Sequence, residues 1–305
     1  MPTLIVVAGP TAVGKTDLCV RLAQKLNTEV LSADSRQFYG ELNIGTAKPT
    51  ASDMAGVRHH FVGSHSITEL YSAGSFERDA LATLDQIFST NQYAIVTGGS
   101  GLYIKALCEG LDDLPTTPPQ LRAELMNRLE NEGLLPLQIQ LQTLDPVYCQ
   151  TNDLQNSQRV VRALEVCLLT GRPFSSFKIR QVAQRPFDII TIAINRDRSE
   201  LYNRIDTRAD KMLADGLVDE VKNLALFRNH NALQTVGYKE VFDYLDGQYD
   251  YLEMVRLVKR NTRHYAKRQL TWFKHQGNFE WFSADDFDGI MERVQGVRVM
   301  TLINV

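Results

Sequence analysis

Cysteine is scarce and scattered in this chain: Cys19, Cys108, Cys149 and Cys167 stand alone among 305 residues, with no C-x-x-C pair. That scatter excludes a disulfide framework and a cysteine zinc site, and the thiols are expected to be buried in a reducing, cytoplasmic compartment. The histidines include no H-E-x-x-H, and adjacent His59 and His60 are poorly placed to share a metal. Long hydrophobic runs are also missing. The opening MPTLIVVAG has no basic flank and meets Gly-Pro after a handful of residues, so neither a signal peptide nor a membrane span is expected. There is no low-complexity tract and no repeat period. Acidic residues disappear between Glu253 and Glu280, where Arg256, Lys259, Arg260, Arg263, Lys267, Arg268 and Lys274 stand. The net charge of −3 therefore conceals a segregated one.

What is present reads as a folded α/β chain. Thr3 to Ala8 is a β-branched apolar run, Thr16 to Leu26 has helical spacing, and Glu29 to Ser32 forms a second strand. Helical periodicity over Ser75 to Thr90 leads to an apolar strand at Tyr93 to Thr97. Strands alternating with helices predict a parallel sheet covered on both faces, with its chemistry at the carboxyl ends of the strands. After Leu114 the PTTPP stretch marks a linker, two or three helices follow, the last over Ser157 to Leu169, and strand spacing returns at Asp188 to Ile194. Residues 113–187 are read as a helical insertion between 1–112 and 188–305, which together form the sheet domain and a mostly helical carboxyl-terminal region.

The first motif is GPTAVGKT, comprising Gly9, Pro10, Thr11, Ala12, Val13, Gly14, Lys15 and Thr16. It matches G-x-x-x-x-G-K-[ST] and lies between a strand and a helix, which makes the expected fold that of the P-loop nucleotide-binding class. Backbone N–H groups there converge on phosphate oxygens, Lys15 adds a point charge and Thr16 can hold Mg²⁺. The motif is silent on what bears the phosphate.

In SADSRQFY, Asp34 ends the second strand and could accept a proton from a nucleophile or cap its own turn. Ser35, Arg36 and Gln37 offer hydrogen bonds suited to a base edge. GGSGLY presents Ser100 at another strand end. In QRVVRALE, Arg159 and Arg162 share a helical face, for which a solvated surface is the default reading. Arg204 and Arg208 stand four apart with Arg198 one to two turns before; they could brace a leaving phosphate or pair with Asp206 and Asp210. The basic stretch Arg256 to Lys274, as one helix, places Arg256, Arg260, Arg263 and Lys267 on a common face beside aromatics, the pattern of a nucleic-acid contact.

These segments, with NIGTAKP (Asn43 to Pro49), YSAGSF (Tyr71 to Phe76), NSQRVVRALEV, LYNRIDTRADKML, VGYKE (Val236 to Glu240) and TRHYAKRQLTWF, resemble the bacterial tRNA dimethylallyltransferases over nearly the whole chain and in the same order. Many members of that family have threonine where this chain has Ser100. The resemblance implies transfer of a dimethylallyl group from dimethylallyl diphosphate to N6 of the adenosine 3′ of the anticodon. Asp34 would then accept the amine proton, while Lys15, Thr16 with Mg²⁺, Ser100, Arg204 and, more weakly, Arg198 would stabilise the departing diphosphate. It also implies that tRNA is gripped by Asp34, Ser35, Arg36, Gln37 and Ser100, by Gln158, Arg159, Val160, Val161 and Arg162, by the GYKE segment, and by Arg256, Arg260, Arg263 and Lys267. The adenine would be flipped out of its stack to reach this site. A monomer and no membrane partner are expected. Two other readings stay open on the residues: a P-loop kinase of a small metabolite, and an RNA-binding protein that has kept an old phosphate loop.

Overall fold

The computed structural model describes residues 1–177 and 182–303. The segment 178–181, within the stretch read as an insertion, lies outside the described residues. Strands are β1 Thr3–Ala8, β2 Val30–Ser32, β3 His59–His60, β4 Tyr93–Gly98, β5 Asp188–Asn195 and β6 Glu280–Ser283. Helices are α1 Lys15–Leu26, α2 Ala51–Met54, α3 Ala73–Phe88, α4 Gly101–Glu109, α5 Pro119–Glu132, α6 Leu134–Leu144, α7 Pro146–Thr151, α8 Ser157–Thr170, α9 Arg198–Ala214, α10 Leu217–Asn223, α11 Tyr238–Leu245, α12 Tyr251–His275 and α13 Phe287–Ile303.

The strands form one sheet in the order β3-β2-β4-β1-β5-β6, every pair parallel. β1 is buried along its whole length because helices cover both sheet faces, and its side chains alternate between two cores. Ile5 and Val7 join Leu18 and Leu22 of α1, Leu201 and Ile205 of α9, and Ile290 of α13. Leu4 and Val6 join Phe38, Phe76 and Leu84 of α3, Leu107 of α4 and Phe273 of α12. A third core unites Leu217, Tyr238, Val241, Met254 and Val258 with Tyr39 and Leu42.

Register brings the functional ends together. Ala8 pairs with Gly98 and Ala193, and Ser32 pairs with Thr97, so the carboxyl ends of β1, β2, β4 and β5 reach one edge. Strand order reverses around β1, and a crevice opens outside the carboxyl ends at such a switch. The two outer strands escape a periodicity reading: β3 has two residues, and β6 reads Glu-Trp-Phe-Ser with exposed ends.

The chain divides into two compact units, Met1–Glu109 with Gln184–Val305 and Gly110–Ala183. The second is helical, its core built from Leu125, Leu137, Leu141, Tyr148, Leu164 and Phe174. It also buries the Glu165 carboxylate, which accepts from Arg122, Arg162 and Thr117. A buried carboxylate needs such partners, since desolvation alone would drive it neutral.

Fully buried Phe76 stacks on Phe38 at 5.5 Å and meets Phe61 and Tyr103 at 5.3 and 5.6 Å. Phe38 belongs to the turn that begins at Asp34. Phe76→Ala is expected to destabilise the chain by about 3–5 kcal/mol, read from denaturant midpoints. A shift below about 1 kcal/mol would mean that this cluster does not anchor the turn.

Candidate active site

Four carbonyls of the phosphate loop accept hydrogen bonds from cationic side chains. Lys15 Nζ donates to the carbonyls of Gly9 (2.9 Å) and Pro10 (2.7 Å), Arg204 Nε to that of Ala12 (2.9 Å) and Arg196 Nε to that of Val13 (2.8 Å). Ala12 sits at a φ of 64°, a left-handed conformation that costs a non-glycine residue about 1 kcal/mol or more and persists only where its surroundings hold it. The first turn of α1 has Gly14 as its N-cap and no side-chain cap, which leaves its N–H groups for an anion.

The loop walls a cavity of about 920 Å³ whose lining also includes Ser32, Asp34, Gln37, Thr97, Arg204 and Arg208. A smaller recess of about 80 Å³ shares Thr11, Asp34, Thr46 and Arg208 with it and is otherwise mainly apolar, through Ile205, Met212, Leu217 and Val258. Asp34 thus lies where a charged hollow meets an apolar one. Its Oδ1 also accepts from the Arg36 backbone N–H at 3.0 Å, so the carboxylate caps its own turn while lining both cavities. Burial lowers the Lys15 pKa to about 8; Asp34 opposes the shift and Arg208 adds to it. Burial likewise pushes the Arg208 guanidinium down against the pull of Asp34, and raises the Tyr265 phenol with Asp34 adding.

Gln37 lines the larger cavity and donates to the carbonyls of Thr46 and Ala47 at 3.2 and 3.3 Å. Ser100 lines neither cavity: its hydroxyl accepts from the Ser35 N–H at 2.9 Å and donates to the Ser35 hydroxyl at 3.1 Å, tying the end of β4 to the Asp34 turn. Arg198 is exposed beside the Tyr202 ring, 5.1 Å away, and also lies outside both linings. Arg204 and Arg208 come to the loop together, as their spacing of four requires. Arg198 precedes Arg204 by six residues, about 240° around the helix, and so faces elsewhere.

Arg208, singled out from sequence beside Arg204, meets the site, and two further groups, Arg196 and Gln269, go beyond the residues chosen from sequence. Arg208 donates to Thr46 O (3.2 Å) and lines both cavities. Arg196 holds the loop while paired with Asp285 at 2.7 Å. Buried Gln269 of α12 accepts from the Thr11 N–H at 2.9 Å and donates to Gly99 O at 3.0 Å, spanning the phosphate loop and the β4 turn. Its partners lie 258 and 170 residues away, a separation that leaves no local signal.

Among the residues proposed for RNA, Arg256 pairs with Glu253 and Arg263 with Asp206, while Arg260 donates to Asn261. Lys267 is exposed, with no ion pair among the described residues. In the helical unit Gln158 and Arg159 are exposed, although Arg122 donates to Gln158, and Arg162 is occupied by Glu165, Thr117 and the Pro115 carbonyl. Val160 and Val161 are fully buried, so any side-chain contact to a partner from this helix falls to its other positions. In the GYKE segment Tyr238 and Glu240 are buried and Lys239 is exposed.

The described residues contain no cluster of three or more His, Cys, Asp or Glu able to hold a metal. A cation at this loop would take the Thr16 hydroxyl at the cavity wall together with oxygens of a bound diphosphate and water, a donor set that suits Mg²⁺, which keeps much of its hydration. No described helix is long and apolar enough to cross a membrane.

Fold and site together define a phosphate-loop α/β protein whose cavity joins the phosphate loop to a carboxylate and an apolar recess. Residues 37–276 match the family model described as IPP transferase. The chain is 52% identical to tRNA dimethylallyltransferase of Cytophaga hutchinsonii, over 94% of each chain. It resembles the crystal structure of the full-length tRNA isopentenylpyrophosphate transferase of Bacillus halodurans with a TM-score of 0.71 and 36% identity, covering 100% of this chain and 98% of that one. Against a eukaryotic dimethylallyltransferase acting on tRNA the TM-score is 0.78 at 28% identity, over 94% and 75%. The chain belongs to the IPP transferase family.

Lys15 sets a pH dependence. With its pKa at about 8, Lys15 is charged below that pH, and a bound diphosphate favours the charged form. The ratio of wild-type to Lys15→Gln affinity for inorganic diphosphate, in which the ligand's own ionisation cancels, is therefore expected to be level below about pH 8 and to fall above it, by at most about tenfold per unit. Calorimetry across pH 6.5–9.5 checks this, and Lys15→Gln should bind more weakly. A ratio that stays level to pH 9.5 would remove Lys15 from the phosphate contact.

Proposed function

We propose that this chain transfers the dimethylallyl group of dimethylallyl diphosphate to N6 of the adenosine 3′ of the anticodon in tRNA. The observation that carries the reading is the position of Asp34, on the wall shared by the diphosphate cavity and its apolar recess. The exocyclic amine of adenine is a poor nucleophile because its lone pair is delocalised into the ring, so both ends of the displacement need help. A bond forms between N6 and C1 of the prenyl group while the C1–O bond breaks. Asp34 takes the amine proton, and the electron pair leaves on the diphosphate.

Lys15, the amides of α1's first turn, Arg204 and Arg208 receive that charge, and the recess takes the five-carbon chain. Mg²⁺, held by Thr16 and the diphosphate, would neutralise part of the same charge. Ser100 acts through Ser35, fixing the turn from which Asp34 projects. The flipped base is read by Gln37 and its neighbours, and α12 meets the RNA backbone through Lys267 and the cations near it.

Incubation of the purified chain with radiolabelled dimethylallyl diphosphate and unmodified tRNA should label the RNA without ATP. Asp34→Ala should abolish transfer and leave tRNA affinity within about twofold. ATP-dependent phosphorylation of a small metabolite, with no labelling of RNA, would replace this reading by a kinase.

Binding to RNA provides a separate check on α12. Lys267→Ala should lower tRNA affinity and reduce the slope of log affinity against log salt by about one. Arg263→Ala should change the slope less, because Asp206 already neutralises that charge. An unchanged slope for Lys267→Ala would take this part of α12 out of the interface.

A further inference from the structure

Of the sequence motifs, NIGTAKP has so far found no chemical role and VGYKE only the RNA contact that the resemblance implies, and the structure joins the two through a single carboxylate. Glu220, on α10, accepts backbone N–H bonds from Asn43 (3.0 Å) and Ile44 (2.7 Å) on one oxygen and from Gly45 (3.0 Å) on the other, which also accepts the Tyr238 hydroxyl at 2.6 Å. Four donors on one ionised carboxylate make a strong, directional clamp on the loop. Tyr238 is fully buried and lies so close to Gly45 that a Cβ there would stand 2.5 Å from its ring. At the loop's other end Lys48 donates to the carbonyls of Tyr39 and Gly40 and to the Asn43 side chain.

Glu220 and Tyr238 line neither cavity, but the chain they hold leads directly into both: Gly45 and Thr46 line the recess, and Thr46 and Ala47 the larger cavity. Thr46 O accepts from both Gln37 and Arg208, and Ala47 O accepts from Gln37. Gln37 stands on the base-reading turn and Arg208 at the junction of the two cavities. One short loop therefore sets the orientation of a group on each substrate's side.

We infer that Glu220 is a positioning residue for transfer: with Tyr238 it fixes the 43–47 loop, and through the carbonyls of Thr46 and Ala47 it aligns Gln37 with the flipped base and Arg208 with the diphosphate. This rests on the proposed reaction. A Gln side chain at position 220 has the same shape, yet it loses the charge and must turn an NH₂ group toward one set of donors.

The test uses the full chain. Amide hydrogen exchange should show residues 43–45 protected in the wild type and deprotected in Glu220→Gln, with β1 and β4 unchanged. In that variant kcat for transfer should fall by about ten- to a hundredfold, as a displacement of an ångström or less at a reacting centre can produce. The KM values for both substrates should stay within about threefold. Tyr238→Phe, which removes one donor of four, should lose several-fold in kcat and covers the case in which Glu220→Gln fails to fold. The inference is overturned if either folded variant shows a deprotected loop with wild-type kcat, or if activity falls only in step with the thermal midpoint. It is overturned too if residues 43–45 exchange freely in the wild type. Failure of wild-type transfer would instead sink the proposed reaction, and the exchange experiment would still report on the clamp.

Discussion

An anion can be held by a backbone loop only if the loop's own carbonyl oxygens are kept off it. Here four carbonyls of the phosphate loop accept from cationic side chains: those of Gly9 and Pro10 from Lys15, that of Ala12 from Arg204 and that of Val13 from Arg196. Each bond sets a cation against a carbonyl's partial negative charge, so that less of that charge faces an anion in the hollow. The same bonds hold Ala12 in its left-handed conformation. The rest of the sheet domain serves this arrangement: β5 leads to Arg196, α9 carries Arg204, and Asp285, just after β6, orients Arg196 through a bidentate pair.

The central sheet was legible in the sequence because its strands obey short-range rules. β1, β2, β4 and β5 are apolar runs bounded by loop residues, and α1, α3, α8 and α12 carry helical spacing with capped or polar ends. The edge strands were not legible. β3 is too short to carry a period, and β6 has exposed ends and only two half-buried residues between them. Within the site, the phosphate loop and Asp34 could be chosen from local pattern, since each lies just beyond a strand's carboxyl end. Gln269 and Glu220 could not, because an isolated amide or carboxylate on a polar helix looks the same whether it faces water or a loop folded back from a distant part of the chain.

The basic helix shows how a charge pattern read in one dimension changes in three. α12 lacks acids over most of its length, yet α9 supplies them: Lys259 pairs with Asp210 and Arg263 with Asp206. The pairing advances four residues on α12 and retreats four on α9, as antiparallel helices require. One step further reaches Lys267 on one helix and Tyr202 on the other, which has no charge to offer. The local potential is therefore concentrated toward the carboxyl-terminal half of α12, where Lys267, Arg268 and Lys274 follow one another. A partially exposed pair contributes little to stability, so these ion pairs act mainly to decide which cations stay free for a partner.

Catalysis by displacement between two bound substrates demands that two independently mobile loops agree in position to a fraction of an ångström. In this chain neither loop is left to its own stiffness. Gln269 of α12 fastens the phosphate loop to the β4 turn, and Ser100 in that turn fastens the Asp34 segment through Ser35. Glu220 and Tyr238 fasten the 43–47 loop, which in turn holds Gln37 and Arg208. Both chains of contact end on helices α10 to α12, outside the sheet. Because those helices share a core with Tyr39 and Leu42, a shift of that core would move the turn that carries Gln37 and the Arg208 contact together. The sheet sets where the phosphate loop sits, and the helices set whether the groups around it line up.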